Sequence, residues 1–231
     1  MKAIILAAGE GVRMRPLTLS KPKPLLEVAG KPLIHRLVSN LPDKVDGVVF
    51  VVGYLGDQIR NYCKNNFLGR KVDYVEQENP RGTYHAVSLC HPYIHRGQDK
   101  RFFVFYADDL LDAGTIGKMM GHERALVVQE VADPRRFGVV STNEDGSVKE
   151  IVEKPENPKS NLVLTNGLLL DQKIFQYPPP HTVNGEYYLS TAIAEMAKRH
   201  KFMTVKADFW FPIATPGDLK KAEGALASQE L

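Results

Sequence analysis

Short apolar runs alternate with segments of helical spacing along the chain, and this alternation limits the folds available to it. Ala3–Leu6 and Val48–Val52 are apolar on both faces, as strands are when helices cover both sides of a sheet. Strands that alternate with helices indicate a mostly parallel sheet. The sequence therefore predicts an α/β fold with helices on both faces. Further strand candidates are Lys71–Glu76, Phe102–Tyr106 and Leu126–Val131, and helical spacing covers Leu33–Leu41, Leu55–Asn65 and Thr83–His91.

The region 137–170 has a different pattern, with three strand-like runs joined by turns. Its clearest turn contains Asp145-Gly146, a pair that tolerates positive φ. We expect a small antiparallel element set into or beside the main sheet. Downstream, Ser190–Lys201 has the pattern of a helix capped by its first residue, and Pro216 fits the first position of the last helix.

Composition places the chain among ordinary globular proteins and excludes several functional classes. Of its 231 residues, 43% are hydrophobic and 25% are charged, near the averages for folded domains. The net charge of +3 is too small to indicate a nucleic-acid or membrane-surface partner. No apolar run approaches the roughly 20 residues of a membrane span. The two cysteines, Cys63 and Cys90, form no CxxC metal motif, so we expect a reduced, cytoplasmic protein.

The loop after the first strand is the most informative segment. Open α/β sheets bind ligands at this end of their strands, and Gly9 and Gly11 let backbone N–H groups approach an anion. Residues 1–36 hold seven Lys or Arg but only two Asp or Glu, which concentrates positive charge around the loop. Glycines with clustered cations suit a polyphosphate. Met14 replaces the third glycine of the G-x-G-x-x-G dinucleotide fingerprint and the P-loop motif is absent, so neither common phosphate motif applies.

Two strings carry a resemblance to a known family. The loop reads LAAGEGVRMRPLT, and PKPLLEVAGKPL follows it. They resemble the signature L-A-A-G-x-G-[TS]-R-[LM]-x-P-L-T, then P-K-[PQ]-L, of the nucleoside-diphosphate-sugar pyrophosphorylases, or sugar-1-phosphate nucleotidyltransferases. The resemblance extends from Lys2 to about Ala225 and departs at Val12, where the family has Thr or Ser. It implies a three-layer αβα, Rossmann-like nucleotidyltransferase fold, with residues 1–231 as a single domain.

The resemblance also implies how a nucleotide binds. In the family, an arginine of the glycine loop holds the outer phosphates, and the lysine of the second string neutralises phosphate charge near the reacting centre. These roles fall on Arg13 and Lys23. The family's base pocket uses a Gln followed by G-T-x-x-A, and an amide can donate to and accept from a uracil or thymine edge, which favours UTP or dTTP. The implied nucleotide contacts are Leu6, Ala8, Gly9, Glu10, Gly11, Val12, Arg13, Gln77, Gly82 and Thr83.

A metal site and a sugar-phosphate site follow from the same resemblance. The family's Mg²⁺-holding aspartate at a strand end corresponds to Asp108, and a carboxylate suits this hard cation. Asp109 stays open as a second ligand or a capping residue. The strings FGV and IVEKP match family strings whose Glu takes sugar hydroxyls and whose Lys takes the sugar phosphate. The implied sugar-phosphate contacts are Lys23, Gly138, Glu153, Lys154, Asn166 and Gly167, and the implied catalytic residues are Arg13, Lys23, Asp108 and Lys154.

The C-terminal string WFPIATPGDL departs from the family's W-x-D-[IV]-G-T-P-x-D-L. Pro212 stands where the family has its second metal-ligating aspartate, and a proline side chain binds no metal. Asp208 lies nearby at a different spacing, and we interpret it as a solvated carboxylate at a strand end. The sequence therefore leaves Asp108 as the metal ligand.

The implied reaction joins an NTP to a sugar 1-phosphate and releases pyrophosphate and a nucleoside-diphosphate sugar. Two alternatives stay open: a non-catalytic relative that binds nucleotide or sugar nucleotide as a regulator, and a transferase for a phosphocholine-type acceptor caged by Tyr187, Tyr188 and Trp210. No nucleic-acid or membrane partner is expected, and a homo-oligomer is compatible with the sequence. Since this chemistry needs no histidine, His35 and His85 are interpreted as helix-face residues.

Overall fold

The computed structural model describes residues 1–94, 100–180, 182–183 and 185–228. Most of the described strands are short, and the first six of them precede residue 95. The strands are β1 (Lys2–Ala7), β2 (Glu27–Val28), β3 (Lys31–Pro32), β4 (Gly47–Val52), β5 (Asn66–Phe67), β6 (Arg70–Glu76), β7 (Arg101–Tyr106), β8 (Asp109–Leu111), β9 (Ala125–Glu130), β10 (Gly138–Thr142), β11 (Val148–Glu153), β12 (Leu162–Asp171), β13 (Met203–Lys206) and β14 (Trp210–Pro212).

Helices separate many of these strands. They are α1 (Leu33–Ser39), α2 (Gly56–Cys63), α3 (Thr83–Leu89), α4 (His91–Ile94), α5 (Ala113–Met119), α6 (Leu189–Ala197) and α7 (Pro216–Ala227). Short 3-10 turns cover Val12–Met14, Leu17–Leu19, Lys23–Leu25 and Gln172–Gln176. Within the described ranges, none of the helices is long and apolar enough to cross a membrane.

The main sheet has a parallel centre and antiparallel flanks. Its path is β11-β10-β12-β7-β1-β4-β6-β5, and β9 and β13 continue from β12 as a branch. The neighbours β7, β1, β4 and β6 run parallel, whereas β12 pairs antiparallel with β7. Every residue of β4 is buried, as its uninterrupted apolar run predicts. The predicted mostly parallel α/β architecture is confirmed.

Two apolar clusters lie on opposite faces of the sheet and make the three layers. One cluster joins residues of α1, α2 and α5 to one face of the strands, for example Ile34, Ile59 and Ile116. The other joins α3, α4 and α6 to the opposite face, where Val87 and Ile193 are fully buried. Alternate residues of each central strand therefore enter different clusters, and both faces of the sheet are covered.

The antiparallel element predicted for the region 137–170 is confirmed as β10, β11 and β12. The turn between β10 and β11 has Gly146 at φ +77°, and its N–H donates to the carbonyl oxygen of Asn143 at 3.0 Å. This element is continuous with the main sheet because β12 pairs with β7, β9 and β10.

One local prediction was wrong: Ser190 does not cap α6. The residue before the first turn of α6 is Tyr188, so Ser190 lies inside the helix instead of capping it. Its hydroxyl donates to Glu153 of β11 at 2.5 Å. Sequence patterns also missed α5 and the two-stranded ribbon of β8 and β14, and the three-residue strands of that ribbon are too short for a periodicity to stand out.

A third apolar cluster fixes the C-terminal helix beside the first loop. Met14 from that loop packs there with Leu33 of α1, Leu110 of β8, Ile213 and Ala222 of α7. Pro216 is the first residue of α7, as predicted, and a capping box closes this end, since Asp218 accepts from the backbone N–H of Thr215 at 2.7 Å. The cluster thus brings α7, near the end of the sequence, into contact with the loop that follows β1.

Candidate active site

A cavity of about 380 Å³ opens where β1, β6 and β7 end at their carboxyl edges. Most of the predicted nucleotide contacts line it. They are Leu6, Ala8, Gly9, Gly11, Val12, Arg13, Gln77, Gly82 and Thr83, together with Lys23 and Asp108. Glu10 does not line it, because its carboxylate pairs with the exposed guanidinium of Arg15 at 3.1 Å. The tertiary structure therefore gathers residues that lie far apart in the sequence.

The glycine loop packs against the chain that follows it, at Thr18 and Lys23. Gly11 has φ +62°, and a Cβ atom there would lie 3.0 Å from Cγ2 of Thr18 and 3.2 Å from Cβ of Lys23. The Thr18 hydroxyl donates to the Gly11 carbonyl oxygen at 2.9 Å, and the side chain of Met14 is buried. A glycine is needed at position 11 for both conformation and space. Arg13 remains exposed at the rim of the cavity.

Lys23 and Asp108 form an ion pair on one wall of the cavity. The Lys23 Nζ lies 2.8 Å from Oδ2 of Asp108, although the two residues are 85 positions apart. The Lys23 side chain is 9% exposed and that of Asp108 is 42% exposed. The lysine is thus buried and oriented by the carboxylate, while one side of the carboxylate still faces solvent. A cation and a carboxylate held in this way can meet a phosphate and a metal ion respectively.

Asp109, left open by the sequence, has a structural role. Its Oδ2 accepts from the indole Nε1 of Trp210 at 2.9 Å, and its carboxylate also takes the backbone N–H of Ile213. Burial, and then the neighbouring charge of Asp108, raise the pKa of Asp109 to about 7. This carboxyl group therefore attaches β14 to β8.

The C-terminal string begins with β14, which pairs antiparallel with β8. In the β8–β14 register, Pro212 stands directly opposite Asp109, and it is exposed. Asp208 does not take the missing position, because both its oxygens lie 2.6 Å from Nζ of Lys118 on α5. Among the described residues, no three His, Cys, Asp or Glu side chains are grouped as a metal site. Of the described carboxylates, Asp108 and Glu186 line the cavity, and Glu186 accepts a hydrogen bond from the Tyr188 hydroxyl. The metal role of Asp108 stays a prediction.

The predicted base pocket is built around Gln77, which is buried at the end of β6. Its Nε2 lies 3.3 Å from the Gly82 carbonyl oxygen and 3.1 Å from Nδ1 of His85. Gly82 has φ +97°, and a Cβ atom there would lie 2.5 Å from the Tyr187 carbonyl oxygen. The close contact with the Tyr187 backbone therefore requires glycine at position 82. Gly82 and Thr83, at the start of α3, both line the cavity.

The predicted sugar-phosphate contacts Gly138, Glu153 and Lys154 are not among the described residues that line the cavity, and their contact with a sugar phosphate stays a prediction. Gly138 pairs with Glu153 in the β10–β11 register, and a Cβ atom at Gly138 would lie 3.1 Å from the Glu153 carboxylate. Burial raises the pKa of Glu153. The Lys154 ammonium lies 2.5 Å from the Tyr188 hydroxyl, which in turn donates to the carboxylate of Glu186. Glu186 also lines the cavity, so this group reaches it.

Asn166 and Gly167 build the junction between β12 and β7. The Asn166 amide accepts from the Tyr106 backbone N–H and donates to the Tyr106 carbonyl oxygen, both at 2.8 Å. Gly167 has φ +122°, and a Cβ atom there would lie 2.8 Å from Cγ2 of Val127. Both residues are buried and hold Tyr106 at the cavity wall. Their predicted contact with a sugar stays a prediction.

Three residues of the site were missed or undervalued by the sequence patterns. Glu186 lies in the run Gly185-Glu186-Tyr187, which has no motif of its own, and Tyr106 is the last residue of a strand. His85 was interpreted as a helix-face residue, yet its ring contacts Gln77. A signal existed for His85, since its place inside the G-T-x-x-A string ties it to the base pocket.

The two cysteines take no part in the site. Cys63 and Cys90 are buried in different apolar clusters. Burial raises the pKa of each thiol to about 12, so neither forms the thiolate needed for nucleophilic attack.

Known proteins resemble the chain over nearly its whole length. It is 34% identical to the bifunctional protein GlmU of Methanocaldococcus jannaschii over 96% of the chain, but it spans about half (53%) of that relative. It is 33% identical to the UTP–glucose-1-phosphate uridylyltransferase AglF of Haloferax volcanii, over 99% of the chain and 98% of the relative. A solved Bacillus anthracis structure, assigned as a glucose-1-phosphate thymidylyltransferase, superposes with a TM-score of 0.83 at 26% identity, covering 97% of this chain and 94% of that one.

The family comparison agrees with the geometry of the cavity. The family model described as nucleotidyl transferase matches residues 2–229, which include the glycine loop, the Lys23–Asp108 pair and the Gln77 pocket. The chain belongs to the nucleotidyl transferase family.

Proposed function

We propose that the protein transfers a nucleotidyl group from an NTP, with UTP or dTTP favoured, to a sugar 1-phosphate. Pyrophosphate and a nucleoside-diphosphate sugar are the products. The observation that carries this proposal is the cavity in which the glycine loop, the Lys23–Asp108 ion pair and the Gln77 amide meet. The names of the Haloferax and Bacillus relatives support a sugar 1-phosphate as the acceptor.

The reaction needs positioning and charge neutralisation more than a strong base. A phosphate oxygen of the sugar 1-phosphate attacks the α-phosphorus, and the bond to the departing pyrophosphate breaks. Holding the two anions in line contributes about 7–11 kcal/mol to such a step. Lys23 lies beside the glycine loop and would neutralise the attacked phosphoryl group, Arg13 at the rim would bind the outer phosphates, and Lys154 would hold the sugar phosphate.

A magnesium ion fits the donor set as a partner of the bound nucleotide. Mg²⁺ takes few protein carboxylates and completes its coordination with substrate phosphates and water. Asp108, half-exposed on the cavity wall, would hold it, while Asp109 is committed to Trp210. When bound, the ion supplies positive charge to the triphosphate and to the leaving pyrophosphate.

The sugar side of the site favours this acceptor over a phosphocholine-type acceptor. The Lys154 ammonium lies 4.2 Å from the ring centroid of Tyr188, so a cation already covers that aromatic face. The indole N–H of Trp210 is bound to Asp109. A lysine next to the half-buried Glu153 matches a phosphate and sugar hydroxyls instead. The cysteines, both free thiols, are consistent with a reducing cytoplasmic location for this chemistry.

The test is a matrix of five NTPs against several sugar 1-phosphates with Mg²⁺, with pyrophosphate release as the readout. We expect turnover with a pyrimidine triphosphate and at least one sugar phosphate. Phosphocholine in place of the sugar phosphate is the matched control and should give none. Nucleotide binding without turnover in any combination would overturn the proposal in favour of the regulatory alternative suggested by Pro212.

A further inference from the structure

The amide of Gln77 is held by two acceptors at once. Its Nε2 lies 3.3 Å from the Gly82 carbonyl oxygen and 3.1 Å from Nδ1 of His85. The atom that faces a carbonyl oxygen must be the nitrogen, because an amide oxygen there would meet another acceptor. The contact with Gly82 therefore identifies the nitrogen as the inward atom, and the shorter contact with His85 is the second one that holds it there.

The same geometry fixes the state of the His85 ring. An amide nitrogen can only donate, so the Nδ1 atom that it contacts must accept, and the ring must be neutral with its proton on Nε2. Burial and the charge of Arg81 lower the pKa of His85, which favours this neutral form. Both amide hydrogens of Gln77 are then used within the protein, and its carbonyl oxygen is the group left for a ligand.

His85 acts from behind the pocket. Gln77, Gly82 and Thr83 line the cavity, whereas the His85 side chain is outside the set of described residues that line it. The ring sits half-buried on α3, one turn after Gly82, where it reaches Gln77 of β6. From behind the lining, His85 can influence the base through its contact with Gln77.

We propose that His85 is a positioning residue that presents the Gln77 amide to the base as an acceptor, so that the pocket selects pyrimidines with an N–H at N3. Uracil and thymine carry a donor at N3, whereas N3 of cytosine is an acceptor and would face the Gln77 oxygen unfavourably. This inference rests on the proposed function for the identity of the ligand, and it sharpens that function into a discrimination against CTP.

The test compares His85→Leu, which removes the acceptor, with His85→Asn, whose amide oxygen can replace Nδ1. Dissociation constants for UTP, CTP and N3-methyl-UTP are measured by calorimetry without a sugar phosphate. The wild type should bind UTP at least tenfold more tightly than either of the other two. In His85→Leu the freed amide can turn, and the UTP-over-CTP preference should fall about tenfold, the equivalent of one hydrogen bond. His85→Asn should restore the preference to within threefold of the wild type.

Three outcomes would overturn the proposal. They are equal binding of UTP and N3-methyl-UTP by the wild type, an unchanged UTP-over-CTP preference in His85→Leu, and a His85→Asn variant as defective as His85→Leu. If His85→Leu does not fold, His85→Ala removes the same acceptor with less bulk and takes its place in the second and third comparisons. Because binding is measured without an acceptor, a wild type that discriminates bases but never turns over would refute the proposed enzyme and leave the role of His85 intact.

Discussion

Replacing Lys23 by Met tests whether this residue contributes to catalysis more than to the stability of the fold. The ammonium of Lys23 lies 2.8 Å from the Asp108 carboxylate, and its side chain is 9% exposed. Methionine keeps most of the buried aliphatic stem and removes the charge. Loss of one charged contact to the reacting phosphates should lower kcat about 100- to 1000-fold, or about 2.7–4 kcal/mol.

The effect on folding should be much smaller. The Asp108 side chain is 42% exposed, so water can hydrate the carboxylate once its partner is gone. Ion pairs open to solvent contribute about 0–1 kcal/mol, and we therefore expect the free energy of unfolding to fall by about 1 kcal/mol. Asp108 also loses a competitor for Mg²⁺, so the Mg²⁺ concentration at half-maximal rate should not rise.

Pyrophosphate release at saturating substrates gives kcat, and urea unfolding gives the free energy. Lys21→Met is the matched control, because its Nζ also lies 2.8 Å from a carboxylate, that of Glu27, but is exposed. The control should keep kcat within about twofold of the wild type. The reasoning about Lys23 is refuted if its variant keeps kcat within threefold of the wild type, or if Lys21→Met loses as much.

Three further substitutions test other parts of the structure. Arg13→Ala should cost about 2–4 kcal/mol in kcat/KM with no change in urea midpoint, since this side chain is exposed at the cavity rim; a normal rate would refute its role. Pro212→Asp should lower the Mg²⁺ concentration needed for half-maximal turnover, because it adds a carboxylate opposite Asp109, next to Asp108. An unchanged Mg²⁺ titration would contradict the inference that position 212 lies within reach of the metal. Asp171→Ala leaves the buried guanidinium of Arg124 with Glu123 as its remaining carboxylate and should destabilise the fold by about 1.5–3 kcal/mol in urea. Glu130→Ala, at an exposed pair, should cost under about 1 kcal/mol.

Local features of the sequence were enough to predict the architecture. A strand buried on both faces must be apolar at every position, so β1 and β4 are visible as runs without alternation. The glycine loop is equally local, because Gly11 adopts a positive φ and its neighbours in the chain carry the positive charges. These properties depend on residues that are close in sequence, so they can be recognised without knowledge of the tertiary contacts.

Element ends and the short elements were not predictable in the same way. The ribbon of β8 and β14 joins strands of three residues each, and no periodicity can be recognised over so few positions. What stabilises it is the Asp109–Trp210 hydrogen bond between residues 101 positions apart. Ser190 fits a capping pattern, yet Glu153 on β11 takes its hydroxyl inside the helix.

The sequence by itself determined the α/β class, the place of the glycine loop and the identity of most residues around the cavity. Only the tertiary structure decided their partners: Lys23 with Asp108, Asp109 with Trp210 and Gln77 with His85. The physical reason is that propensity and periodicity act over a few neighbouring residues, whereas hydrogen bonds and ion pairs depend on strand order and register. Those in turn are set by the packing of two apolar clusters on opposite faces of one sheet.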